Sequence, residues 1–188
     1  MNFQELLIEL NACESAREWA EGKTWAEAYN TCYRGDWLLW LFARTNPDDL
    51  QRLTLAKGHC ANTVRHLMKD ERSIKAVDIA IAFGEGRATI EELKVAYAAA
   101  AYAAAYADAY AAAAAYAAAA YAAAYAAYAA DAYADAYAAA AAYAAAAYAA
   151  AYAAYAADES AWWAAKKENQ QLTADICRKY LPVEIWNI

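Results

Sequence analysis

Two histidines have a spacing that could bring them to one side of a helix. His59 and His66 are seven residues apart, about two helical turns, and Asn62 and Arg65 lie between them. Imidazole, amide and guanidinium groups on one helix face could together contact an anion or a nucleotide. The alternative, which we favour, is that these polar side chains tie the end of a helix to a loop.

The sequence lacks the motifs of common enzyme classes. It has no Ser-His-Asp order, Gly-rich phosphate loop, HExxH motif or paired-carboxylate constellation. Asp70, Glu71 and Arg72 form a charged cluster that is better suited to opening a helix than to catalysis. The four cysteines lie far apart without a CxxC pair, which predicts buried thiols rather than a zinc site or a disulfide framework. We therefore expect no catalytic residue, no enzyme activity, no metal and no cofactor.

Tyrosine is the main candidate for recognition chemistry. Residues 97–157 comprise 44 Ala, 14 Tyr and 3 Asp, and we call this segment the Ala/Tyr tract. Tyrosine is rigid, amphipathic and enriched in recognition surfaces, so its rings could bind a partner protein or stack on nucleotide bases. The alternative is that they pack on each other and on the other helices. With His59, Arg65 and His66, the candidate binding residues are Tyr106, Tyr110, Tyr116, Tyr121, Tyr125, Tyr128, Tyr133, Tyr137, Tyr143, Tyr148, Tyr152 and Tyr155.

The tract contains a tandem repeat, residues 104–130 and 131–157, whose two 27-residue copies differ only at the first position. On a helix at 100° per residue, the tyrosines of one copy fall within a half-circle opposite Asp108. A shift of 27 residues is seven and a half turns, so on one straight helix the two tyrosine faces would point in opposite directions. We therefore expect a helical hairpin that turns near residues 129–135, where Asp131 can cap a new helix. A continuous rod is the alternative, because alanine strongly favours helix and no Gly or Pro marks a turn.

The preceding ninety residues carry repeated signals for helix starts. Residues 24–27 and 89–92 each form a capping box, in which a threonine and a glutamate satisfy each other's backbone donors. Asn46 precedes a proline and two acids and is expected to cap a helix. Asp70 or Ser73 is expected to start another helix.

Glycines are expected to shape two of these helices. Gly35 should end a helix, after which Asp36 caps the apolar stretch 37–42 at the centre of the core. Gly58 should mark a close helix contact within a helix that reaches about Met68.

Large aromatic side chains should dominate the core. One of the adjacent Trp162 and Trp163 should be buried, and the other should be available as a contact. The N-terminal core is expected to be filled by Trp19, Trp25, Trp37 and Trp40.

Together these patterns predict an all-α protein, since no stretch alternates as a strand does. We expect a multi-helix N-terminal bundle (1–88), Ala/Tyr-rich repeat helices (89–165), and a C-terminal helix and tail that pack back on the core (166–188). The net charge of -7 does not provide the positive field of a general nucleic-acid binder. The N-terminus lacks a secretory signal, and the tract is only marginally apolar. We therefore expect a cytoplasmic protein without a membrane span.

One part of the chain resembles a known family. The stretches RLTLAKGHCANTVRHL (52–67) and DERSIKAVDIAIAFGEG (70–86), followed by an alanine-rich run, resemble immunity proteins of bacterial polymorphic toxin systems. They are most similar to an immunity-like group of bacterial and phage genomes whose members carry alanine-rich helical tails. The resemblance spans roughly residues 50–110 and is carried by Asp70, Arg72, Ala76, Gly86 and the alanines after Glu92. It implies an all-helical protein that binds and neutralises another protein, with no catalytic residues.

Three hypotheses follow. The first is a non-enzymatic immunity-like or phage anti-defence protein that binds a toxin or defence component stoichiometrically through its tyrosine-rich helices. The second is a protein that sequesters a nucleotide immune signal between tyrosine faces and basic residues such as Arg52 or Arg65. The third is a structural helical protein that assembles with itself as a homo-oligomer.

Overall fold

The structure is a computed structural model that describes residues 1–68, 70–109, 159–186 and 188. All regular secondary structure in these ranges is helical, which confirms the all-α prediction. The proposed hairpin at residues 129–135, and the rod that is its alternative, lie outside the described residues.

Eight α-helices make up the described part of the chain. They are α1 (Phe3–Glu9), α2 (Glu14–Trp19), α3 (Trp25–Thr31), α4 (Gly35–Thr45), α5 (Leu50–Asn62), α6 (Glu71–Gly84), α7 (Ile90–Ala109) and α8 (Glu159–Tyr180). Two 3₁₀ turns follow α5 and α8, at Arg65–Leu67 and Val183–Ile185.

Three of the predicted helix starts are confirmed by their cap geometry. The Thr24 hydroxyl accepts a hydrogen bond from the Glu27 backbone N–H, and the Glu27 carboxylate accepts one from the Thr24 backbone N–H. Thr89 and Glu92 form the same two hydrogen bonds before α7. The Asp70 carboxylate accepts from the Arg72 N–H at the start of α6. Each cap depends on residues within one turn of the chain, so the local sequence suffices to specify it.

The predicted start at Asn46 is wrong. The cap of α5 is Asp49, whose carboxylate accepts from the Arg52 N–H at 3.3 Å. Asn46 instead closes α4, and its side-chain amide donates to the Ile185 carbonyl at 2.7 Å. A contact with the far end of the chain thus overrides the local signal.

Gly35 begins a helix rather than ending one. It is the first residue of α4, and Asp36 lies within the helix instead of capping it. A Cβ at position 35 would lie 2.8 Å from the backbone carbon of Thr173 on α8. Glycine is therefore required here by the close approach of two helices.

Two clusters of buried side chains form the interior. Helix α4 contributes Leu38, Leu39, Leu41 and Phe42 to the first cluster, which confirms the predicted core position of these four residues, whereas Trp37 and Trp40 pack against the cluster and are only partly buried. The second cluster joins the end of α5 to α6 and α7 through Val64, Val77, Leu93, Ala96 and Ala100.

Helix α8 joins the C-terminal part of the chain to the first cluster. It packs against both α4 and α5, while α5 packs on α6 and α6 on α7. Its residues Ala174 and Cys177 are fully buried, and Leu181 just beyond it is buried too. Helices α4, α5 and α8 thus all contact one another, and the contacts continue from α5 to α6 and from α6 to α7.

The α5 contacts with α6 and α8 are close because the contacting residues are small. A Cβ on Gly58 would meet Ile81 of α6, which confirms the close contact predicted at this glycine. Cys60 and Cys177 face each other between α5 and α8 with their Sγ atoms 4.0 Å apart. Cys32 is also buried, whereas Cys13 is exposed, so the expectation of buried thiols is wrong for Cys13.

None of the described helices is both long enough and apolar enough to cross a lipid bilayer.

Replacing Gly84 by alanine should destabilise the fold. The new Cβ would lie 2.4 Å from the Leu55 Cβ and 2.7 Å from its Cα, so rotating a side chain cannot relieve the clash. We expect the free energy of unfolding, measured by urea denaturation, to fall by about 2–3 kcal/mol.

Gly86→Ala is the matched control. Gly86 has a φ of +74° but no neighbouring atom within 4 Å of the added Cβ. The free energy of unfolding should therefore fall only by the energy of placing alanine in the left-handed backbone conformation, about 1 kcal/mol. An equal or larger loss for Gly86→Ala would contradict the close contact between α5 and α6.

Candidate functional site

The described structure places His59 against α8. The imidazole stacks on the Tyr180 ring with 4.2 Å between centroids and 5° between planes. The pKa of His59 is lowered mainly by burial, while Glu85 raises it and Lys179 lowers it. A neutral imidazole packed on a phenol ring is suited to holding α5 and α8 together.

His59 and His66 do not share a helix. Helix α5 ends at Asn62, and the chain turns before the 3₁₀ segment Arg65–Leu67. The expectation of one helix reaching Met68 is therefore wrong. The expected anion or nucleotide contact from His59, Asn62 and His66 required a single helix face, and this expectation is wrong too. The turn forms because Thr63 bonds back onto α5, with its hydroxyl donating to the Cys60 carbonyl at 2.7 Å.

Arg65 is bound to a neighbouring helix. Its guanidinium donates two hydrogen bonds to the Asp78 carboxylate of α6, at 2.6 and 3.0 Å. This hydrogen bonding raises the pKa of Arg65. His66 is exposed to solvent. The pair thus joins the 3₁₀ turn to α6.

Asp70 and Arg72 form a second ion pair with two hydrogen bonds. The Arg72 Nε and Nη2 atoms donate to the Asp70 carboxylate at 2.9 and 2.6 Å, and these bonds lower the pKa of Asp70. The same carboxylate caps α6. This geometry fits the interpretation of the cluster as a device for starting a helix.

The side chains of all twelve candidate tyrosines lie outside the described residues. Two other tyrosines of the tract, Tyr97 and Tyr102, are described on α7. Tyr97 is partly buried against the second cluster, whereas Tyr102 is 63% exposed. The Arg72 guanidinium carbon lies 5.3 Å from the centroid of the Tyr102 ring. At the start of the tract, one tyrosine therefore packs on other helices and another is exposed to solvent, as the two alternatives describe.

A shallow groove of about 420 Å³ lies between α6 and α7. Arg72 and Lys75 of α6 and Glu91 and Glu92 of α7 contribute opposite charges to its lining, and the apolar part includes Val95, which is exposed. Because the charges are mixed, the groove favours neither an anion nor a cation.

A second exposed aromatic lies beyond the other end of the tract. Trp163 on α8 is 58% exposed, and the Lys166 ammonium lies 5.4 Å from its ring centroid. The side chain of Trp162 lies outside the described residues. Tyr102 and Trp163 thus each combine an exposed ring with a nearby cation.

The tryptophans of the N-terminal half do not simply fill the core. Trp19, Trp25, Trp37 and Trp40 are each partly exposed and line a cavity between α1, α2, α3 and α4. The feature of the sequence that points to this cavity is the occurrence of four tryptophans within 22 residues. Whether such residues fill a space or surround one depends on how four helices pack, which their spacing does not reveal.

No group of three or more potential metal-binding side chains occurs among the residues that the structure covers. Comparisons of the chain with models of known families, with curated proteins and with solved structures found no match. The resemblance to immunity proteins therefore stays a prediction that depends on the residues of its two stretches.

The stacked His59 should make stability depend on pH. Its pKa is lower in the folded state than the ordinary value of 6.5, so just below pH 6.5 the unfolded chain binds more protons. The free energy of unfolding should therefore fall as the pH drops below 6.5, until the pH reaches the folded pKa. Urea denaturation between pH 7.5 and 5.5 should show a smaller fall for His59→Phe, which keeps a ring against Tyr180.

His66→Gln is the control for this measurement, because it removes an exposed histidine and should keep the wild-type pH dependence. The carboxylates with lowered pKa values, those of Glu27, Asp70 and Glu92, titrate below this window. Identical pH profiles for His59→Phe and the wild type would show that His59 is not held in its neutral form.

Proposed function

We propose that this protein is a non-enzymatic inhibitor that binds a partner protein stoichiometrically, with the Ala/Tyr tract as the binding element and α1–α8 as its scaffold. The observation that carries the proposal is the pair of exposed aromatics near the two ends of the tract, Tyr102 and Trp163. Exposed tyrosine and tryptophan are the residue types that most often dominate the energy of protein interfaces.

The scaffold fixes both ends of the tract. Helix α7, where the tract begins, buries Leu93, Ala96 and Ala100 against α6. Helix α8, which follows the tract, is anchored by Ala174 and Cys177 in the first cluster. A binding element attached at both ends loses less conformational freedom on binding than one attached at a single end, which favours affinity.

A protein partner fits the described residues better than a nucleotide does. The two basic residues suggested for a nucleotide phosphate each have a carboxylate partner: the Arg65 guanidinium bonds to Asp78, and the Arg52 Nε lies 3.3 Å from an Asp49 carboxylate oxygen. The groove beside Tyr102 carries acids as well as bases. A phosphate would have to compete with carboxylates that are already in place.

The resemblance to immunity proteins suggests the setting in which such an inhibitor acts. A cytoplasmic immunity-like protein would neutralise a toxin, and a phage-encoded one would neutralise a component of host defence. In both cases the chain needs a specific surface and no catalytic group.

Removing the two exposed aromatics should weaken capture of the partner. We expect a tagged full-length chain, incubated with bacterial lysate, to retain one protein in an equimolar complex, as measured by light scattering after size exclusion. Tyr102→Ala combined with Trp163→Ala should reduce its recovery at least tenfold, because each truncated hot-spot side chain costs about 2 kcal/mol or more.

The matched control is Ile8→Ala combined with Leu172→Ala, which removes two exposed apolar side chains that are not aromatic. It should leave recovery unchanged. A chain that retains no equimolar partner, or one that captures it equally well without both aromatics, would refute the proposed surface. A homo-oligomer of the chain alone would instead support the self-assembling alternative.

Deleting residues 131–157 should also abolish capture if both copies of the repeat contribute to the surface. Full capture by this shortened chain would show that the second copy only adds length.

A further inference from the structure

The first four helices line a partly open cavity of about 310 Å³ that is separate from the proposed binding element. Residues of α1, α2, α3 and α4 all line it, and most of the lining is apolar. Its aromatic and aliphatic walls include Phe3, Leu7, Trp19, Trp25, Trp37 and Trp40. The cavity is partly open to solvent and mostly apolar, a combination that is typical of small-molecule sites.

The volume indicates the size of a ligand. A dry apolar cavity of about 150 Å³ accommodates benzene. The present cavity is about twice as large, which leaves room for two fused rings. Its lining also favours a flat molecule, because the Trp19 and Trp37 rings lie 5.6 Å apart between centroids and can pack on a third ring by offset or edge contacts.

The charges around the cavity favour a neutral ligand. Lys23 lies over the Trp19 ring and Arg34 over the Trp37 ring, each at 4.8 Å from the ring centroid, and Arg44 lies 5.9 Å from that of Trp40. A cationic ligand would be repelled by these three groups. Lys23 and Arg44 do not line the cavity, whereas Arg34 and Asp36 line it and form an ion pair, so the lining itself has no excess charge to attract an anion.

Asp36 also supplies a specific polar contact. The residue is only 6% exposed, and its two carboxylate oxygens accept from the Arg34 Nε at 2.8 Å and from its Nη2 at 2.5 Å. A carboxylate oxygen can accept more than one hydrogen bond, so a ligand N–H can be accepted without breaking the pair. The pair with Arg34 in turn holds the carboxylate in place.

We propose that this cavity binds a neutral molecule of two fused aromatic rings with an N–H donor, of which indole is the simplest example. The rings pack among Trp19, Trp37 and Trp40, and the N–H donates to Asp36. This site is independent of the protein partner proposed above.

Calorimetric titration of the full chain with indole and with benzofuran tests the proposal. Benzofuran has the same size and shape but lacks the N–H. We expect indole to bind with a dissociation constant between about 10 µM and 1 mM, and benzofuran to bind roughly tenfold more weakly. Asp36→Asn should reduce this preference for indole.

A variant that fills the cavity separates binding there from binding elsewhere. Ala16 of α2 lines the cavity, so Ala16→Leu should weaken indole binding at least tenfold. Ala26 of α3 is exposed and does not line it, so Ala26→Leu should bind indole as the wild type does. Thermal unfolding of each variant verifies that it is folded.

A measurement on the unmodified chain completes the test. Nuclear Overhauser effects should connect indole protons with the side chains of Trp19, Trp37 and Trp40, and not with Trp163. The absence of indole binding, unchanged binding by a folded Ala16→Leu variant, or contacts at Trp163 alone would overturn the proposal. Equal affinity for indole and benzofuran would overturn the role of Asp36.

Discussion

The insertion of α8 against α4 and α5 is the contact on which the rest of the structure depends. It brings residues beyond the Ala/Tyr tract back to helices that precede it, as the approach of Thr173 to Gly35 and of Cys177 to Cys60 shows. Such a contact must overcome the entropy of closing a long connection. It forms because small residues let the helix backbones approach closely, so that water is excluded from the side chains buried between them.

Sequence-based prediction succeeded where the determining contacts are local. The caps at Thr24, Asp70 and Thr89 each involve residues within one turn, so their positions follow from spacing alone. It failed at Asn46 and Gly35, which are determined by Ile185 and Thr173 from the far end of the chain. The partners of His59 and Arg65 could not be predicted either, because Tyr180 and Asp78 each lie on another helix.

The two proposed sites share no residue, although the walls of the cavity belong to the first buried cluster or pack against it. Tyr102 and Trp163 project from α7 and α8, whose packed faces carry alanine, leucine and cysteine. The cavity lies among α1 to α4, and α8 reaches α4 at Gly35 through backbone contact. A ligand in the cavity would therefore stabilise the folded scaffold by mass action while leaving the exposed aromatics in place. Binding of the partner protein and of the small ligand should then be additive in free energy, since no residue serves both.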